Sequence, residues 1–189
     1  MKKSTILTCF VILCLVQLVI PVSMIHKREA TLRHGDVFKF KTAPVDPYDA
    51  FRGRYVALNY DQSTVNGNWP VKDYRRGRVV YAILDRDADG FAQITDVRLE
   101  RPEGQSFIKV RVGWSSGGRL TLRLPFDRFY MDEFEAPVAE REFVWQRNRE
   151  ERTAYALTRI RDGFGVIEDL IVEEMPIRAW LMTRENMQL

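Results

Sequence analysis

The chain has 189 residues, a mass of 22.2 kDa and a formal net charge of +3, room for one domain with a real core and little room for a second. With 46% hydrophobic and 29% charged residues, the composition excludes an intrinsically disordered chain. Lys2 and Lys3 supply two of the 29 basic residues, so from His26 onward 27 basic residues face 26 acidic ones, a balance that argues against nucleic acid as a partner.

The first element is apolar. Ser4 to Ile25 runs without a charged residue, and 22 helical residues span about 33 Å, roughly one hydrocarbon core. A cleaved signal peptide needs small residues before its cleavage site, and Pro21-Val22-Ser23 would put proline at position −3. A lipoprotein signal needs a small residue before a cysteine at the end of the apolar run, whereas Leu13 precedes Cys14 in its middle. The reading that remains is a transmembrane anchor over residues 1–25, in contact with the lipid bilayer through residues 4–25. Lys2-Lys3 and His26-Lys27-Arg28 flank it with similar charge, so the positive-inside rule barely decides its orientation. A short N-terminus ahead of a large domain favours N-inside. Cys9 and Cys14 both lie in this stretch, so the outer domain holds no disulfide, thiolate metal site or cysteine nucleophile.

A short charged tether over 26–36 then leads to a globular domain over 37–189. Its dominant signal is period-two alternation. Strands are predicted over Val37–Thr42, Tyr55–Tyr60 and Val79–Leu84, the last apolar on both faces. Asp85–Gly90 is turn-like, and Ala92–Arg101 resumes as a strand. In Phe107–Trp114, Ile108, Val110, Val112 and Trp114 share one face; in Arg119–Leu124, Leu120, Leu122 and Leu124 alternate with polar residues. Ser115-Ser116-Gly117-Gly118 between them reads as a turn, making a hairpin. Residues 79–124 thus read as a four-stranded antiparallel meander. Pro137–Arg152, rich in Glu, Arg and Gln, reads as one helix. Tyr155–Ile160 and Val166–Val172 form a last hairpin turning at Asp162-Gly163. The expected class is mainly β: an antiparallel barrel or sandwich with one helix, preceded by the transmembrane helix.

Between the first two strands the chain reads Pro44-Val-Asp46-Pro47-Tyr-Asp49-Ala-Phe-Arg52-Gly53-Arg54-Tyr55-Val56-Ala-Leu58-Asn-Tyr60. This resembles the GDYXXLXY family of bacterial membrane-anchored proteins. Gly53, Tyr55, Leu58 and Tyr60 match the name-giving positions, and Pro44, Asp46, Pro47, Asp49 and Arg52 match the lead-in; Arg54 stands where the family has Asp. The resemblance implies no particular activity. It implies an inner-membrane, single-pass anchor with a periplasmic domain, often beside multi-spanning membrane proteins. From the residues alone, Asp46-Pro47 and Asp49 favour a tight turn, Arg52 can pair with either aspartate, and Gly53 permits close backbone approach or a positive φ. A structural turn-and-strand motif accounts for all of this; a binding surface built on it is the functional alternative. The Asp-Pro, Arg-Gly, strand order is also similar to that of membrane-bound signal peptidases. Their mechanism needs a serine and usually a lysine base, and near Ser63 no lysine is placed for that work.

Catalytic patterns are weak. His26 and His34 both fall in the tether, which argues against a Ser-His-Asp triad or a histidine metal site. Asp132-Glu133 and Glu168-Asp169 are adjacent carboxylates, but neighbours on a strand point to opposite faces. The basic cluster Tyr74-Arg75-Arg76-Gly77-Arg78 is explained by a solvated loop. Asp85-Arg86-Asp87-Ala88-Asp89-Gly90 matches the first half of a calcium loop, with Asp96 at position 12; a hairpin turn explains the same letters. The expectation is an accessory or binding module for a membrane-protein partner or envelope ligand, without catalytic residues or an obligatory cofactor. The alternatives are an enzyme on cell-envelope material using carboxylates and Arg52 or Arg54, or a module stabilised by calcium at Asp85, Asp87, Asp89 and Asp96.

Overall fold

The structure is a computed structural model and describes residues 3–43, 55–60, 63–67, 69–70, 72–130 and 154–185. Helix α1 (Lys3–His34) is continuous, with Pro21 inside it. That proline removes one backbone hydrogen bond from the helix without ending it. From Leu7 to Ile25 the large apolar side chains are 48% to 68% exposed. This stretch therefore has no packing partner among the described residues, and its length and composition make it a candidate membrane span. The residues expected to form a tether are instead the last turns of the same helix, followed by Gly35.

Twelve strands follow among the described residues: β1 (Asp36–Ala43), β2 (Tyr55–Ala57), β3 (Asn59–Tyr60) and β4 (Thr64–Asn66), then β5 (Val79–Arg86), β6 (Ala92–Arg98), β7 (Phe107–Ser116) and β8 (Arg119–Arg123), then β9 (Arg128–Tyr130), β10 (Ala154–Arg161), β11 (Phe164–Val172) and β12 (Met175–Pro176). One antiparallel sheet runs β12-β11-β10-β1-β3, a second runs β4-β8-β7-β5-β6, and β2 pairs with β9 in a two-stranded ribbon. The sheets share one core, in which Phe38, Phe40, Ala156 and Leu170 of the first meet Val80, Ile108, Val110 and Leu120 of the second. They also touch at the rims. Lys109 N–H donates to the Gly163 carbonyl at 2.9 Å, and Lys39 bridges to Phe91. The result is the mainly-β, barrel-like architecture that the alternating patterns predict.

Two local expectations are corrected. Residues 79–124 do not form a meander: β5 sits between β6 and β7. The burial patterns explain this. Val80, Ala82, Ile83 and Leu84 are all buried, as an interior strand requires, whereas β6 alternates buried Ala92 and Ile94 with exposed Gln93 and Thr95, as suits an edge. Trp114 does not share the face of Ile108, Val110 and Val112. A β-bulge between Val112 and Trp114 shifts the phase, leaving Trp114 54% exposed. The β7–β8 turn itself is tighter than four residues. Gly117 and Gly118 have φ of 57° and 76°, the left-handed pair that a two-residue type I′ hairpin demands.

The β10–β11 hairpin turns at Asp162-Gly163, as the sequence predicts. A second helix, α2 (Ile177–Glu185), lies where the sequence reading has none. Ile177 and Trp180 enter the core at 0% and 3% exposure, one helical turn apart. The helix expected over Pro137–Arg152 falls outside the described residues.

Candidate functional site

The family-like motif forms a backbone clasp. Tyr55, Val56 and Ala57 pair with Tyr130, Phe129 and Arg128, and Leu58 N–H donates to the Asp127 carbonyl at 2.9 Å. Tyr60 then donates its hydroxyl to the Phe126 carbonyl at 2.7 Å. Leu58 and Tyr60 are each 3% exposed, and the Tyr60 ring meets Phe40 and Phe126 edge to face at 5.6 and 5.4 Å. Burial, with the Asp127 carboxylate adding to it, pushes the Tyr60 phenol far above its usual range. These two positions are core and clasp: they fasten the 125–130 strap to the body of the domain. Pro44, Asp46, Pro47, Asp49, Arg52, Gly53 and Arg54 lie outside the described residues.

The other sequence candidates do not converge. Asp87 Oδ1 accepts the backbone N–H groups of Asp89 and Phe91 at 3.0 and 2.8 Å, and Asp85 accepts that of Arg86. Asp96 accepts from Val97 N–H and from the Arg98 guanidinium. These carboxylates hold turns and strand ends; among the described residues no three His, Cys, Asp or Glu side chains are grouped to hold a metal ion. Glu168 takes both arms of Arg159, at 2.7 and 3.3 Å. Asp169 beside it accepts Leu170 N–H, and burial raises its carboxyl above the ordinary range. Asp132 and Glu133 lie outside the described residues. In the basic cluster, Tyr74 is tied to the Val97 carbonyl and Arg75 to the Lys72 carbonyl, with Arg76 and Arg78 exposed.

The arrangement with binding character lies where α1 meets the β10–β11 turn. Lys27 Nζ stands 4.4 Å over the Phe164 ring. Arg161 donates to the Ala30 carbonyl and Arg159 to the Gly35 carbonyl, each at 3.5 Å, so two arginines of β10 hold the backbone at and just after the last turn of α1. Gly35 N–H closes the helix on the Thr31 carbonyl at 2.8 Å. A Cβ at Gly35 would sit 2.5 Å from that oxygen and 3.1 Å from the Ile160 backbone, so close approach requires glycine here. The helix end is thus seated on the sheet.

On one side of this junction opens a cleft of about 750 Å³, whose walls include His34, Asp36, Arg101, Glu103, Ser106 and Asp162. Arg101 pairs with Asp162 at 2.8 Å, and Ser106 donates to Asp36 Oδ2 at 3.0 Å. Charges of both signs line it, which suits a ligand that is itself polar and carries both. The Ser106 hydroxyl is bonded directly to a carboxylate with no imidazole between them, unlike an activated nucleophile. On the other side is a smaller groove of about 320 Å³, lined by Arg28, Asp127, Arg128, Phe129, Tyr130 and Phe164. Sequence reading misses this junction because its residues lie far apart along the chain. The signal it held was a charged stretch after the apolar run and an Asp-Gly turn towards the C-terminus.

No curated protein and no solved structure matches the chain. A family model described as GDYXXLXY protein matches residues 17–170, from within α1 into β11. That match covers well over half of the 189 residues, and the chain belongs to the GDYXXLXY protein family.

Proposed function

We propose that the protein is a single-pass, membrane-anchored binding module of the bacterial inner membrane. Its domain faces the periplasm, and the 750 Å³ cleft beside α1 receives a segment of a multi-spanning membrane protein or an envelope ligand. The observation that carries this reading is the unbroken helix between the apolar run and the cleft. His34, in the cleft wall, follows Ile25 by nine residues, which at helical rise is about 14 Å. A ligand held there lies close to the bilayer surface, and the Arg101–Asp162 pair together with the Asp36 carboxylate suits a polar segment emerging from the membrane.

The test is purification of the full-length protein in mild detergent, with mass spectrometry of what accompanies it. The expected result is a stoichiometric membrane partner that is lost in the Arg101→Glu, Asp36→Arg double variant. Recovery of the same partner from that variant would remove the cleft from the reading, and recovery of the protein alone would remove the partner.

A further inference from the structure

We infer that the smaller groove between α1 and the 125–130 strap is seated in the headgroup layer of the bilayer and binds anionic phospholipid headgroups. The inference rests on α1 being a membrane anchor, and it concerns a different surface from the cleft.

Height comes first. Phe164 lies under Lys27 Nζ at 4.4 Å, and Lys27 follows the last residue of the uncharged run, Ile25, by two positions, about 3 Å of helical rise. Arg28, one position further, lines the groove together with Phe164. The groove therefore opens at the level where the apolar run ends, which is headgroup depth if that run fills the hydrocarbon core.

Chemistry comes second. The wall combines Arg28 and Arg128 with the aromatics Phe129, Tyr130 and Phe164, and Tyr130 is 63% exposed. Aromatic rings with basic neighbours are what the membrane–water interface selects. Among the described residues Asp127 is the acidic wall residue and lies 3.7 Å from Arg128; with Lys27 at the rim, three described cations face that carboxylate. Nearby, Arg161 and Asp162 offset each other at 3.8 Å, as do Arg33 and Glu29 at 2.7 Å. Among the described residues the excess is positive, complementary to anionic lipid.

Rigidity comes third. The strap that carries Arg128 and Tyr130 is paired with β2 and hydrogen-bonded by Leu58 and Tyr60. The motif that names the family thereby holds the groove's outer wall at a fixed distance from α1.

The test uses the full-length chain reconstituted into vesicles of phosphatidylcholine, or of phosphatidylcholine mixed with phosphatidylglycerol. One sample carries a nitroxide on the native Cys14 in a Cys9→Ser background. A second carries it on Tyr130→Cys in a Cys9→Ser, Cys14→Ser background. Access to dissolved oxygen and to an aqueous nickel chelate reports depth. The Cys14 label is expected in the hydrocarbon in both lipids. The label at position 130 is expected to lose severalfold of its nickel access when phosphatidylglycerol is present. Adding Arg28→Glu and Arg128→Glu is expected to abolish that difference, since each basic residue near an anionic surface weights the seated population about fivefold. A label at position 130 equally open to nickel in both lipids, with Cys14 still in the hydrocarbon, overturns the inference and leaves the anchor intact. A Cys14 label open to nickel overturns the anchor itself.

Discussion

The Tyr60 hydroxyl reaches the Phe126 carbonyl at 2.7 Å, tying β3 to a strap 66 residues further along the chain. Both ends of that bond are buried, so removing the hydroxyl leaves a carbonyl with no solvent to turn to. Tyr60→Phe is expected to cost about 1–2 kcal/mol, and Tyr60→Ala, which also empties the aromatic cluster with Phe40 and Phe126, about 3–5 kcal/mol. Equilibrium urea unfolding measures both. Equal stability of Tyr60→Phe and the parent would remove the hydroxyl from the clasp.

The same residue shapes the alkaline limit of the fold. Burial raises the phenols of Tyr60, Tyr74 and Tyr155, with Asp127, Asp96 and Glu174 adding to it in turn. An unfolded tyrosine ionises near pH 10, and in the folded state these three hold the proton longer. Their contribution to stability is thus complete below about pH 10 and is lost as pH rises from there towards the folded values. Tyr60 alone is expected to add a slope of about 1.4 kcal/mol per pH unit in that window. Unfolding midpoints between about pH 9 and 11 should fall steeply for the parent and less steeply for Tyr60→Phe.

At the junction, Gly35→Ala is expected to force α1 off β10, because the added carbon would meet the Thr31 carbonyl at 2.5 Å. The cost is about 1–3 kcal/mol, the range of an overpacked site. Hydrogen exchange should show it directly, with amides 28–35 exchanging faster while β7 and β8 keep their protection. Unchanged exchange at 28–35 would mean that the helix end is not held by this contact.

The Asp87 loop offers a test against calcium. Its Oδ1 already accepts two backbone amides, so Asp87→Asn should be nearly neutral and Asp87→Ala should cost about 1 kcal/mol. Added calcium should leave the parent's melting temperature unchanged. A rise that grows with calcium concentration would signal binding to the native state and return the loop to metal chemistry.

Much of the β framework is readable from local pattern. The alternation of Ile108, Val110 and Val112 and of Leu120 and Leu122 places their strands and buried faces, and Asp162-Gly163 marks the last turn. Trp114 continues the same letters, yet a bulge at Gly113 turns it outward; a bulge depends on the partner strand and leaves no mark on its own strand's period. The central position of β5 is likewise a matter of pairing, hinted at only by its two-faced burial. The charges at Lys27, Arg28, Glu29 and Arg33 read as a tether because they break the apolar run, but they lie on the outside of a helix that continues regardless. Ile177, Trp180 and Leu181 carry a helical spacing in a segment too short for periodicity to decide. The cleft is the least legible feature: His34, Asp36, Arg101, Ser106 and Asp162 meet only because β1, β7 and β10 are arranged as they are.

The absence of a break between Leu7 and His34 gives the domain a fixed heading. A flexible leash would let it turn freely and average over every direction. A helix seated by Arg159, Arg161 and Gly35 behaves as an axle: if a neighbouring membrane helix rotates or tilts α1, the domain turns with it, and what faces the cleft changes. The 32 residues of α1 make a rod of about 48 Å, so if α1 spans a bilayer as proposed, an event at one side would arrive at the other as a change of aim.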